Sequence, residues 1–120
     1  MIMRKLKRAV AIKAPSAKEL IEEMERFLPI LMYPLSVSIP ELRGQGVDVS
    51  LGQELLVTNV MDSGDTGGVM CGIEFTKDKS VLLTSITRLK IPPDHPLSSK
   101  IVAYQRHRIK KLARQRAEKK

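Results

Sequence analysis

Glu54-Leu-Leu-Val-Thr-Asn-Val-Met61, Asp62-Ser-Gly-Asp-Thr-Gly-Gly68 and Val69-Met-Cys-Gly-Ile-Glu-Phe75 follow one another without a gap, and their reading decides the fold. After the polar Thr76-Lys-Asp-Lys-Ser80 comes Val81-Leu-Leu-Thr-Ser-Ile-Thr-Arg-Leu-Lys-Ile91. Three apolar runs rich in β-branched residues are separated by two polar breaks, the first of them glycine-rich. This is the pattern of a meander of three antiparallel strands. In the middle run, Val69, Cys71, Ile73 and Phe75 share one face, and Met70, Gly72 and Glu74 share the other. The last run places Leu82 next to Leu83, which predicts a bulge or strong curvature before Pro92-Pro93 ends it.

Upstream of the meander, Leu6 to Ile12 reads as a first strand ending at Ala14-Pro15. Ser16-Ala-Lys-Glu19 is a capping box: the serine hydroxyl accepts from the Glu19 amide while the glutamate reaches back to the Ser16 amide. Leu20, Ile21, Met24, Phe27 and Leu28 recur at helical spacing, so a helix is expected from Ala17 to Leu28, closed by Pro29. Pro29 to Pro34 reads as an apolar linker against the core. Leu35-Ser-Val-Ser-Ile39 alternates and predicts a half-buried strand closed by Pro40. Glu41 to Gly46 is a polar turn, and Val47, Val49 and Leu51 suggest a further short strand. Downstream, Asp94 to Ser98 opens a C-terminal helix whose thin apolar stripe is Ile101, Val102, Ile109 and Leu112. Beyond Leu112 little apolar surface remains, so the end of this helix is expected to project or fray.

The expected fold is therefore α+β: an antiparallel curled sheet or small open barrel, with an N-terminal helix after the first strand and a basic C-terminal helix. A chain of 120 residues is one domain by length. Residues 1–103 are read as the α+β body with a basic N-terminal segment, and 104–120 as a basic helical tail. Aromatic residues make up only 3% of the chain and Trp is absent, so the core must be aliphatic, with methionines filling gaps. The lone Cys71 excludes an internal disulfide and a cysteine-based zinc site, and fits a reducing, cytoplasmic setting. No secretory leader and no membrane-spanning run is seen.

Chemistry-bearing motifs are few. Asp62 to Gly68 gathers carboxylates, hydroxyls and glycines, but it lacks the acidic ladder of a calcium loop and the Lys-Ser or Lys-Thr pair and following helix of a phosphate loop. A hairpin loop is the simpler reading. Val47-Asp-Val-Ser-Leu-Gly52 resembles the Asp-x-Ser-x-x-Gly signature of PilZ cyclic-dinucleotide receptors, and Gly72-Ile-Glu-Phe75 resembles their late strand. Gln53 stands where that signature ends in glycine, and Arg43 stands alone where the family carries a pair of arginines upstream, so the chain is not assigned to it. Cys71 lies mid-strand on an apolar face, and His95 and His107 are distant in sequence. No catalytic residue, metal ligand or cofactor site is assigned, and a non-enzymatic role is expected.

Charge is the strongest functional signal. Residues 1–13 hold five basic residues and no acid, and 104–120 hold eight basic residues against Glu118, so an acidic middle lies between two basic ends. That asymmetry points to a polyanionic partner. In the C-terminal helix Arg106, Lys110 and Arg114 align at four-residue spacing, while Arg108, Lys111 and Lys119 spread around much of the rest. Arg106, Arg108, Lys110, Lys111, Arg114 and Arg116, with Arg4, Lys5, Lys7 and Arg8, are the expected nucleic-acid contacts. Scarce aromatics favour backbone and shape recognition of structured RNA or a ribonucleoprotein over base reading. The alternative is a protein–protein adaptor or assembly factor that docks through its sheet and lays the tail on an acidic protein partner.

Overall fold

The computed structural model describes residues 13–74 and 81–118. The expected first strand, Leu6 to Ile12, lies outside them, as do Arg4, Lys5, Lys7 and Arg8. Helix α1 spans Ala17–Glu25 and opens on the capping box. Glu19 N–H donates to the Ser16 hydroxyl at 3.1 Å, and Ser16 N–H donates to Glu19 Oε1 at 2.9 Å. These bonds hold the Glu19 carboxyl below its ordinary range. The helix stops three residues earlier than the proline rule predicts. The amides of Arg26 and Phe27 turn back to the carbonyls of Glu23 and Met24, tightening the last turn before Pro29 is reached.

Between Pro29 and Pro40 the structure corrects the sequence reading. The strand is Ile30–Pro34 (β1), not Leu35–Ile39, and its side chains alternate between buried and half-buried. Ser36–Ser38 form a 3-10 turn and Ile39–Gly44 form α2. Pro40 does not close a strand; it occupies the first turn of α2, where a missing N–H breaks no hydrogen bond. Val37, expected on a buried face, is 84% exposed. The short strand expected at Val47–Leu51 is irregular chain. It is held by Arg43 Nε donating to the Val49 carbonyl and by a turn linking Ser50 with Gln53. Val49 is buried there and Leu51 is exposed.

The meander is present. β2 (Leu55–Asp62), β3 (Val69–Glu74) and β4 (Val81–Ser85) pair antiparallel in sequence order. A second break follows: Ile86–Arg88 is a 3-10 turn, and the chain resumes as β5 (Leu89–Lys90), paired with the far side of β1. The five-stranded order is thus β4-β3-β2-β1-β5. Leu82 points inward and Leu83 outward, so β4 itself is regular and the irregularity falls in β2. There the register shifts between Val57 and Asn59. Such a bulge strengthens local twist and curls the sheet.

The concave face holds the core. Val57, Ile73 and Leu82 stand side by side across three strands, and Leu20 and Met24 of α1 are fully buried with them. Burial of each such side chain contributes about 1.5–3 kcal/mol. Helix α4 (Ser98–Glu118) begins where His95 Nδ1 accepts the Leu97 N–H at 3.0 Å, and it packs Ile101 and Tyr104 inward, next to the buried Leu97 that precedes it. Gln105 Nε2 donates to the carbonyls of Ile86 and Leu89, both at 2.7 Å, and so fastens the helix to the turn that leads into β5. Lys100 and Glu23 join α4 to α1 at 2.7 Å; being partly exposed, the pair contributes at most about 1 kcal/mol. Among the described residues no helix is long and apolar enough to cross a membrane.

Candidate nucleic-acid interface

Helix α4 divides the cationic residues between two environments. Arg106, Lys110 and Arg114 occupy its outward side and are exposed, and His107, also exposed, borders the cleft between helix and loop. Successive members of the Arg106–Lys110–Arg114 row rise by about 6 Å. No acid precedes Glu118 in the helix, so this side is uniformly cationic. Arg116 is exposed on another flank, and Lys111 is half-buried.

Arg108 is the exception. It is only 6% exposed, on the side of the helix that also carries Ile101 and Tyr104. The spacing Ile101, Tyr104, Arg108 is a regular inward row. The signal was present in the sequence, but an arginine among arginines reads as solvated. The loop after β2 makes room for it. Gly68 has φ +63°, and a Cβ built there would lie 2.5 Å from Tyr104 Oη and 3.0 Å from Arg108 Nε. Only glycine allows the loop to close against these two side chains. Tyr104 Oη also accepts the Val69 N–H at 3.1 Å, so the loop and the helix are bonded as well as packed.

The loop itself is more ordered than a plain hairpin. Gly64–Gly67 form a single helical turn, α3. Asp62 Oδ1 accepts the Gly64 N–H at 2.9 Å, and the Ser63 and Gly68 amides each close a 2.8 Å bond within the loop. Among the described residues, no group of three or more His, Cys, Asp or Glu side chains is placed to hold a metal ion. Cys71 is fully buried, and burial pushes its thiol up to about 12, so it is not a nucleophile at neutral pH. His95 packs edge-on against Phe27 with ring centroids 5.3 Å apart.

Loop, α1 and α4 together enclose a cleft of about 470 Å³. Its lining includes Lys13, Ala17, Glu19, Asp62, Asp65, Gly68, Tyr104, His107, Arg108 and Lys111. Two features here were not legible beforehand. Lys13 meets Lys111 and Arg108 from the opposite end of the sequence, and the loop read as a simple hairpin forms one wall. Composition and periodicity carry no information about such a juxtaposition. No known protein family, curated protein or solved structure matches the chain.

Proposed function

We propose that the protein binds RNA, structured RNA or a ribonucleoprotein in particular, through phosphate contacts made by the outward side of α4. The observation that carries this reading is the exposed row Arg106–Lys110–Arg114 with His107 beside it, on a helix fixed to the body by Tyr104, Gln105 and Ile101. A rigid row of cations loses little entropy on binding, and neutralising phosphates releases condensed counterions. Lys13 adds support. It sits at the same cleft as Lys111, and the sequence before it carries Arg4, Lys5, Lys7 and Arg8. The reducing cytoplasm, to which a single buried thiol is suited, is the proposed setting.

The test is a salt titration against structured RNA, single-stranded RNA and duplex DNA. Each phosphate left unneutralised lowers the slope of log affinity against log salt by about 0.7–0.9. Replacing Arg106, Lys110 and Arg114 with Gln is therefore expected to weaken RNA binding and flatten the slope by about two units. The reading is wrong if the wild type binds structured RNA no more tightly than a scrambled peptide of equal charge.

A second reading rests on the convex face of the sheet. Leu56, Val81 and Leu83 are 42%, 59% and 48% exposed there, around Gly72 and Glu74. They suit an adaptor that docks a protein on the sheet. Salt-resistant capture of a protein partner, abolished by Leu83→Lys, would favour it.

A further inference from the structure

We propose that the cleft between the start of α1, the Asp62–Gly68 loop and α4 is a binding site for a single nucleotide phosphate, with Arg108 as its anchor. The proposal rests on the RNA reading only for the source of the phosphate. Two independent observations converge on it. The first is Arg108: its side chain lines the cleft and is 6% exposed, yet among the described residues no carboxylate pairs with it and no hydrogen-bond acceptor satisfies it. None of its nitrogens is among the fully buried side-chain atoms left without a partner, so the fork keeps an opening to the cleft, where an entering anion would supply the missing counter-charge. Its planar fork matches phosphate oxygens in pairs.

The second is the start of α1. The capping box occupies the amides of Ser16 and Glu19 and leaves the amide of Ala17 without an intrahelical partner, and Ala17 lines the same cleft. The first turn of a helix favours an anion through its free amides and its dipole. Lys13 and Lys111 complete the cationic lining.

The lining also fixes how much charge the site accepts. Glu19, Asp62 and Asp65 stand in the cleft beside the three cations. A polyphosphate would set its excess charge against these carboxylates, whereas one phosphate carrying a sugar offers them hydroxyl donors. The chemistry selected is thus a nucleoside monophosphate or the terminal phosphate of an oligonucleotide. The volume, about 470 Å³, lies within the range of small-molecule sites.

The experiment uses the full chain. Inorganic phosphate, adenosine monophosphate, and one short RNA with either a 5′-phosphate or a 5′-hydroxyl are titrated at constant ionic strength in chloride. Melting temperature and calorimetric heat are recorded. The wild type is expected to show a saturable rise in melting temperature with phosphate and the monophosphate. Lys111→Gln is expected to weaken phosphate about ten-fold, as for one charge-assisted hydrogen bond, while Lys110→Gln on the outward side leaves it unchanged. Arg108→Lys keeps the charge but removes the fork, and is expected to weaken it further; should that variant not fold, the Lys111 and Lys110 pair still decides. A preference for the 5′-phosphorylated RNA supports the site with RNA as source, and equal binding of the free monophosphate supports it with a free nucleotide as source. No saturable response in the wild type, or an equal loss in Lys110→Gln and Lys111→Gln, overturns the site. A saturable phosphate response alongside a failed outward-face salt titration removes the RNA reading and leaves the site standing; the converse result does the opposite.

Discussion

Tyr104 and Val69 are joined by a buried hydrogen bond of 3.1 Å, in which the phenol oxygen of α4 accepts the first amide of β3. The bond spans 35 residues of sequence and sets how close the loop lies to the helix. Tyr104→Phe keeps the ring and removes the acceptor. It is expected to lower stability by about 1–3 kcal/mol, the penalty of a buried amide left unpaired. Urea unfolding of the two proteins checks this; equal midpoints would show that the bond adds nothing.

Gly68 and Gly46 make a matched pair for separating backbone strain from steric exclusion. Both have positive φ, +63° and +88°, but a Cβ at Gly46 meets nothing within 4 Å while one at Gly68 meets Tyr104 Oη at 2.5 Å. Gly46→Ala is expected to cost about 1 kcal/mol, from conformation alone. Gly68→Ala is expected to cost clearly more, because either the loop or both Tyr104 and Arg108 must move. Thermal unfolding of the two variants decides the matter, and similar losses would mean that the close approach is unimportant.

How much of this could be read from the sequence depends on the kind of information each feature carries. The meander was legible because alternation over several residues is a strong signal, and Val69, Cys71 and Ile73 are indeed all buried. The capping box was legible because it is local chemistry. Pro34 and Pro40 misled, since proline closes a strand and opens a helix equally well, and only the tertiary partner tells which. Ile30 and Met32 won the strand position because β2 lies alongside them, pairing Ile30 with Val57 and Met32 with Leu55. The outward row Arg106–Lys110–Arg114 was legible from helical spacing. The inward turn of Arg108 follows the same row as Ile101 and Tyr104, but an arginine among arginines reads as solvated, and the glycine that packs against it lies forty residues earlier.

Thr84 offers a gain rather than a loss. It is fully buried in β4, and its hydroxyl has no hydrogen-bond partner among the described residues. Valine is nearly the same shape and carries no unpaired group. Thr84→Val is expected to stabilise the protein by about 1 kcal/mol, judged from the penalty on an unsatisfied buried hydroxyl. A decrease in the urea midpoint would show that the hydroxyl is satisfied in solution.

Cys71 confers a pH dependence at the alkaline end. Its thiol is raised from 9.0 to about 12 by burial, so the folded state keeps the proton where the unfolded chain releases it. The neutral thiol's contribution is therefore complete below the unfolded value of 9.0 and is lost between there and about 12. Within that window stability is expected to fall by about 1.4 kcal/mol per pH unit from this group. Cys71→Ala should lose that component of the slope, whatever it does to stability at neutral pH. Denaturant titrations of both proteins between neutral and alkaline pH measure it, and parallel profiles would refute the assignment. The same burial predicts slow thiol labelling until the protein unfolds.

Helix α4 is a cantilever. Its 21 residues are clamped along the first half, and among the described residues Arg108 is the last buried one, beyond which Ile109 is already 51% exposed. The ten residues that follow extend the rod by about 15 Å. A partner that grips Arg114 or Arg116 therefore pulls on the free arm, and Arg108 and Tyr104 are the fulcrum that takes the torque. The glycine loop at Gly68 is pressed against both residues of that fulcrum, while Tyr104 also belongs to the core. Load on the arm is expected to reach the loop through that contact, and the amides of Gly68 and Val69 are where hydrogen exchange would report it.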